Sequence, residues 1–159
     1  EPITEIIEEI GSRGGIVLDK ESASIDQAEG LIKACELGYR KIAVSVVSTK
    51  DVKKLRELER ENEINLTLIG AHLTGIGSED AIELIGELDI VTGCASRTVR
   101  DIVSPLLQAG TSVPMFAITQ KGKELLLERA KEIDSPLLIN SFSLHTFYTG
   151  SVEKFLPID

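Results

Sequence analysis

Thr92-Gly93-Cys94-Ala95-Ser96-Arg97 gathers a thiol, two hydroxyls and a guanidinium in one short run. The run follows a short apolar strand, Asp89-Ile90-Val91, and opens a helix. Backbone N–H groups at a helix start lack partners within the helix, so such a turn favours an anion and a cysteine thiolate. Arg97 fits that reading: a cation in the first helical turn opposes the helix dipole, and a bound anion offsets the conflict. Arg100 faces the same conflict, and pairing with Asp101 explains it equally well. Other predicted strand ends have similar compositions: Ser48-Thr49, Ala71-His72-Leu73-Thr74-Gly75 and Thr119-Gln120-Lys121-Gly122-Lys123. Hydroxyls, glycines and basic residues recurring at such turns suit a phosphate, carboxylate or nucleotide. Each turn alone has an ordinary explanation, because Ser, Thr and Asp are the usual helix caps.

Cys94 has three readings: a small residue in a tight turn, a reactive or ligand-touching thiol, or a metal ligand. A metal centre needs several Cys or His at suitable spacing. Cys35, Cys94, His72 and His145 are all the chain offers, and their spacing specifies no site. No metal is assigned and no cofactor is named. His72 beside Cys94 would form a base-and-nucleophile pair, although a histidine at a strand end commonly just satisfies hydrogen bonds. The catalytic candidates are therefore Cys94 and His72. Ligand contacts are expected at Thr74, Gly75, Thr92, Gly93, Cys94, Ala95, Ser96, Arg97, Thr119 and Lys121. Nucleotide fingerprints are not supported. Ser12-Arg13-Gly14-Gly15 precedes a strand instead of following one, Gly75-Ile76-Gly77 lacks the third glycine, and there is no P-loop.

The elements that must position these residues alternate along the chain. Strands are expected at Gly15–Asp19, Lys41–Val47, Ile64–Ile69, Asp89–Thr92, Val113–Thr119 and, last, Pro136–Asn140. Helices are expected from Ser24 or Asp26 to Gly38, over Asp51–Glu63, from Ser78 to Leu88, over Ser96–Gln108 and over Gln120–Ile133. Ser104-Pro105 should kink or restart the fourth of these, since proline removes an N–H and clashes with the preceding turn. The mixed charges of Lys50–Glu63 read as a solvated helix face. Strand–helix alternation with continuous apolar strands predicts a three-layer α/β/α domain. Its open, mostly parallel sheet would have five or six strands, Rossmann-like or flavodoxin-like. Ligands of such sheets sit outside the carboxyl ends of the strands.

That domain is expected to span 1–140. The tail, 141–159, carries Phe142, Phe147, Tyr148 and Phe155 as well as His145. Aromatic burial is strongly favourable, so the tail is expected to pack on the domain or on a second copy. The chain has 159 residues, enough for one core. A net charge of −9 argues against a general nucleic-acid or membrane-surface binder, but leaves room for a local basic pocket. With two distant cysteines, one of them on an apolar helix face, reduced thiols and a cytoplasmic home are expected. No apolar run reaches membrane-span length.

Four segments carry a family resemblance: Ile25-Asp26-Gln27-Ala28, Glu36-Leu37-Gly38-Tyr39-Arg40-Lys41-Ile42-Ala43-Val44, Asp89–Ser96 and Gln108–Thr119. Together they resemble methanogenesis marker protein 8, an archaeal family formerly filed as a domain of unknown function. The resemblance extends to about Ile133. It implies a place in methane-producing archaea, a missing N-terminal region, and a signature at Cys94-Ala95-Ser96. It implies no activity. Three functions therefore stand side by side: a small-anion-binding domain, an enzyme using Cys94, and an assembly module acting through the tail.

Overall fold

The computed structural model describes residues 1–94 and 96–140. Among these residues six helices and six strands follow one another: α1 (Thr4–Ser12), α2 (Gln27–Glu36), β1 (Lys41–Val46), α3 (Thr49–Glu61), β2 (Asn65–Gly70), α4 (Ser78–Glu87), β3 (Ile90–Thr92), α5 (Arg97–Ile102), β4 (Leu107–Ala109), β5 (Met115–Ala117), α6 (Gln120–Lys131) and β6 (Ile139–Asn140). The strands form one sheet in the order β1-β2-β3-β5-β4-β6.

The sheet has two halves. β1, β2 and β3 are parallel neighbours joined by the crossover helices α3 and α4. β5 runs antiparallel to both β3 and β4, and β6 antiparallel to β4. The sheet is mixed, which corrects the expectation of a mostly parallel one. The cause is chain length. A parallel return needs a dozen or more residues, and only 110–114 separate β4 from β5. Gly110, at φ +76°, starts that hairpin.

Two more expectations change. Gly15–Asp19 forms no strand. Asp19 turns back to accept the N–H groups of Glu21 (2.8 Å) and Ser22 (3.0 Å), and Gly14 at φ +79° bends the chain on the other side. Ile16 is left 61% exposed. The helix expected over Ser96–Gln108 ends at Ile102, and the residues after Pro105 become β4. Proline does not kink that helix but ends it, and the Leu106 N–H then donates to Ala117 O at 2.8 Å, beginning the pairing with β5. The final strand is shorter than expected, Ile139–Asn140 alone. The expected tail, 141–159, lies outside the described residues.

Helices cover the sheet on both faces, giving the three layers. α2, α3, α4 and α5 pack one face, where Leu31, Val52, Leu55, Leu84 and Val99 meet Leu66, Leu68, Val91 and Phe116. α6 covers the other face, placing Leu126 against Ile90, Leu107 and Ala117. Gly122 lets α6 approach closely: a Cβ there would fall on the carbonyl oxygen of Asp89.

Candidate functional site

The parallel register fixes what can meet. Val46 lies opposite Gly70, and Gly70 opposite Val91. The loops after β1, β2 and β3 therefore leave one edge of the sheet side by side. That edge carries His72, Thr74 and Gly75 on the loop after β2, and Thr92, Gly93, Cys94 and Ser96 at the end of β3 and just beyond it.

The Cys94 turn is held from several sides. Thr92 Oγ1 lies 3.2 Å from Gly70 O and 3.2 Å from Cys94 Sγ. The hydroxyl has one proton and can donate it to only one of these at a time. The Gly93 N–H donates to Pro114 O at 2.7 Å, and a Cβ on Gly93 would come within 2.7 Å of Pro114 and 2.9 Å of Phe116. Arg100 donates to three carbonyls, Gly93 O (3.0 Å), Cys94 O (2.9 Å) and Ser112 O (3.0 Å). Its guanidinium thus ties the turn to the β4–β5 hairpin, a role for which Asp101 is not needed. Ser96 is buried and caps α5 by accepting the Val99 N–H at 3.3 Å. Cys94 itself is half-buried. Ala95 lies outside the described residues.

Across the edge, Leu73 is buried and pins the loop, while His72, Thr74 and Gly75 are exposed. His72 has φ +56° and Gly75 φ +85°. The left-handed region costs an L side chain energy, and histidine is among the residues that enter it most often.

Of the other expected members, Arg97 follows Ser96 at this edge, whereas Thr119 and Lys121 do not share it. Arg97 is 87% exposed and pairs with Asp101 on its own helix at 3.4 Å. Thr119 and Lys121 follow β5, which runs antiparallel to β3, so they stand at the opposite edge from Cys94. The helix after Cys94 has only six residues, and the Gly93 N–H is already used. The field that the sequence suggested for a helix start is correspondingly weak there.

A concave surface lies beside the same carboxyl edge, where α2 and α3 begin. Ile25, Asp26, Gln27, Lys50, Asp51 and Lys54 line it. Both carboxylates in it serve capping: Asp26 accepts the Glu29 N–H at 2.9 Å, and Asp51 accepts the Ser48 hydroxyl at 2.6 Å. The Glu29 N–H, outweighing desolvation, holds the Asp26 carboxyl below its ordinary range, with the Lys54 charge adding to the effect.

At the opposite edge Asp89 anchors a charged network that the sequence reading missed. Its Oδ2 accepts the Leu68 N–H (2.9 Å) and Arg56 Nη2 (2.9 Å), with Lys121 Nζ at 3.5 Å. Its Oδ1 accepts the Thr119 hydroxyl at 2.8 Å. Arg56 also donates to Glu59 (2.7 Å), Leu66 O (3.2 Å) and Glu87 O (2.7 Å). Lys121 donates to Leu66 O and lies 3.5 Å from Glu59. Burial pushes the Asp89 carboxyl up, but the Leu68 N–H, the Thr119 hydroxyl and Arg56 outweigh it and hold the group below its ordinary range. Glu59 follows the same pattern: burial raises it, while Arg56, the Leu66 N–H and Lys121 bring it below. Arg56 and Glu59 are therefore not the solvated face that their mixed-charge surroundings suggested. Two cations and two carboxylates balance here, and their donors and acceptors are engaged by the scaffold. The network fastens α3, β2, β3 and α6 together.

Among the described residues no group of three or more His, Cys, Asp or Glu could hold a metal ion, and no helix is long and apolar enough to cross a membrane. Cys35 packs against the main core.

The chain is 46% identical over 140 residues to the uncharacterized protein MJ0054 of Methanocaldococcus jannaschii. The match takes in 86% of this chain and 48% of that protein, so the chain spans about half the length of this relative. No solved structure matches this chain. Residues 1–131 match the family described as uncharacterized protein conserved in archaea (DUF2099), and the chain belongs to that family.

Proposed function

We propose that this chain is a small-ligand-binding α/β domain of methane-producing archaea, with its site at the carboxyl edge of β1, β2 and β3 and an anionic ligand. The observation that carries the reading is the shared edge. Adjacent parallel strands deliver the loops of His72, Thr74 and Gly75 and of Thr92, Cys94 and Ser96 to one place, where open α/β sheets hold their ligands. The amino end of the thirteen-residue α3 and the side chains of Lys50 and Lys54 lie beside it, together with Asp26 and Asp51, whose carboxylates are taken up by the Glu29 N–H and the Ser48 hydroxyl. Arg97 can join them, since an exposed ion pair such as Arg97–Asp101 is worth little and releases its arginine readily.

Calorimetric titration with inorganic phosphate and with small di- and tricarboxylates tests the reading. Saturable binding is expected. It should weaken about tenfold in a Lys50→Ala, Lys54→Ala double variant and less in Arg97→Ala, with melting temperature unchanged. Binding indifferent to all three substitutions would remove the site.

A second reading, an enzyme with Cys94 as nucleophile and His72 as base, is favoured by the half-buried thiol beside the Thr92 hydroxyl. It requires Cys94 to alkylate faster at neutral pH than Cys35. Equal slow rates would discard it. The third reading, assembly through 141–159, concerns residues outside those described.

A further inference from the structure

Helix α1 has no buried residue, unlike the other described helices. Its sequence nevertheless specifies an amphipathic helix. Ile3, Ile6, Ile7 and Ile10 recur at the spacing that makes one stripe. Its end is built as well: the Gly15 N–H donates to Ile10 O at 2.9 Å and the Gly14 N–H to Gly11 O at 3.0 Å, with Gly14 left-handed. Ile3 and Ile6 are each 53% exposed and Ile10 39%. An isolated helix shorter than about 12–15 residues is marginal in water and depends on packing of its apolar face. Nine residues with nothing buried need a surface to pack on.

We propose that the isoleucine stripe of α1 is the docking face for a segment of the kind present in the half of the M. jannaschii relative that this chain does not span. Three observations favour that occupant over a lipid surface or a second copy. α1 lies within the residues matched by the family, so it is part of the shared fold. The M. jannaschii relative has about as much chain again outside the matched region. The polar side of α1 carries Glu5, Glu8 and Glu9, with Arg13 paired to Glu9 at 2.6 Å. An acidic face is repelled by anionic lipid, whereas membrane-surface helices are rich in Lys and Arg there. A second copy is disfavoured by size. A nine-residue helix offers far less than the roughly 800 Å² per partner of a stable dimer. In the longer relative such a segment shares one chain with the matched region and needs no such area, because the linkage supplies a high effective concentration. The docking groove should be apolar with a basic rim. None of the residues of the carboxyl-edge site belongs to α1.

Hydrogen exchange tests it, comparing residues 3–13 of this chain with the matching segment of full-length MJ0054. Exchange slowed at least about tenfold in the longer protein, at any protein concentration, is the expected result. Equal exchange in the two overturns the proposal. So does protection that rises with concentration, which would mean a second copy, or protection of this chain by anionic vesicles, which would mean lipid. In this chain, Ile6→Glu with Ile10→Glu should leave the melting temperature unchanged. A fall of several degrees would show that the stripe packs on its own domain, and would also overturn the proposal.

Discussion

The two edges of the parallel half-sheet carry polar residues of similar kinds and use them in opposite ways. At the amino edge, Asp89 is almost wholly buried and meets a backbone N–H, a hydroxyl and two cations. At the carboxyl edge, His72, Thr74 and Gly75 are exposed, Cys94 is half-buried, and the strongest donor, Arg100, is spent on carbonyls. A charge whose partners all come from the scaffold holds elements together and has nothing left to offer a ligand. Exposed groups in a fixed turn are what a ligand can use. The comparison predicts that substitutions at the amino edge act on stability and those at the carboxyl edge on binding.

The largest effect should come from Asp89→Ala. Removing one partner of a buried ion pair leaves the others uncompensated, at a cost of about 3–5 kcal/mol. Urea denaturation should show that loss, and a loss below about 1 kcal/mol would mean that water replaces the carboxylate and the network is not a clamp. pH sharpens the same point. The folded Asp89 and Glu59 sit below their ordinary ranges, so the unfolded chain takes up protons first as pH falls. Their contribution is complete above the unfolded carboxylate range, near pH 4, and is lost as pH drops through the lower folded values. Stability should decline below about pH 5, and the decline should be shallower in Asp89→Asn.

Gly122→Ala comes next. Its Cβ would meet the Asp89 carbonyl, which belongs to rigid backbone and cannot swing aside. A cost of about 1–3 kcal/mol is expected, through displacement of α6. A neutral result would show that α6 slides easily, and that Thr119 and Lys121 are less firmly seated than their contacts suggest.

How much of this was legible in the sequence follows from connection length. β1–α3–β2–α4–β3 could be read directly because each strand is apolar and each link long enough to be a crossover helix. Leu106-Leu107-Gln108-Ala109 suits helix or strand equally, and only pairing with β5 decides. Once the hairpin 110–114 reverses the chain, Thr119 and Lys121 move to the far edge, which no local pattern announces. Ser96 capping α5 was visible from residue type alone. The Asp89 network was not, because Arg56 and Glu59 sit in a run of mixed charges and their burial depends on an aspartate thirty-odd positions away. The edge shared by the His72 and Cys94 loops was legible because it needs only two adjacent parallel strands.

The smallest effect separates stability from function most sharply. His72 holds a left-handed backbone that a glycine would adopt without a side-chain penalty. His72→Gly should therefore raise stability by at most about 1 kcal/mol, part of the relief being offset by the greater freedom of glycine in the unfolded chain. If the loop is only a turn, the variant gains stability and binds anions as before, and the site contracts to Thr92, Cys94 and the lysines of α3. If the imidazole serves the ligand, binding falls while the protein becomes harder to unfold. Strain kept at a position where it weakens the fold and strengthens binding marks a functional residue in a way that exposure alone cannot.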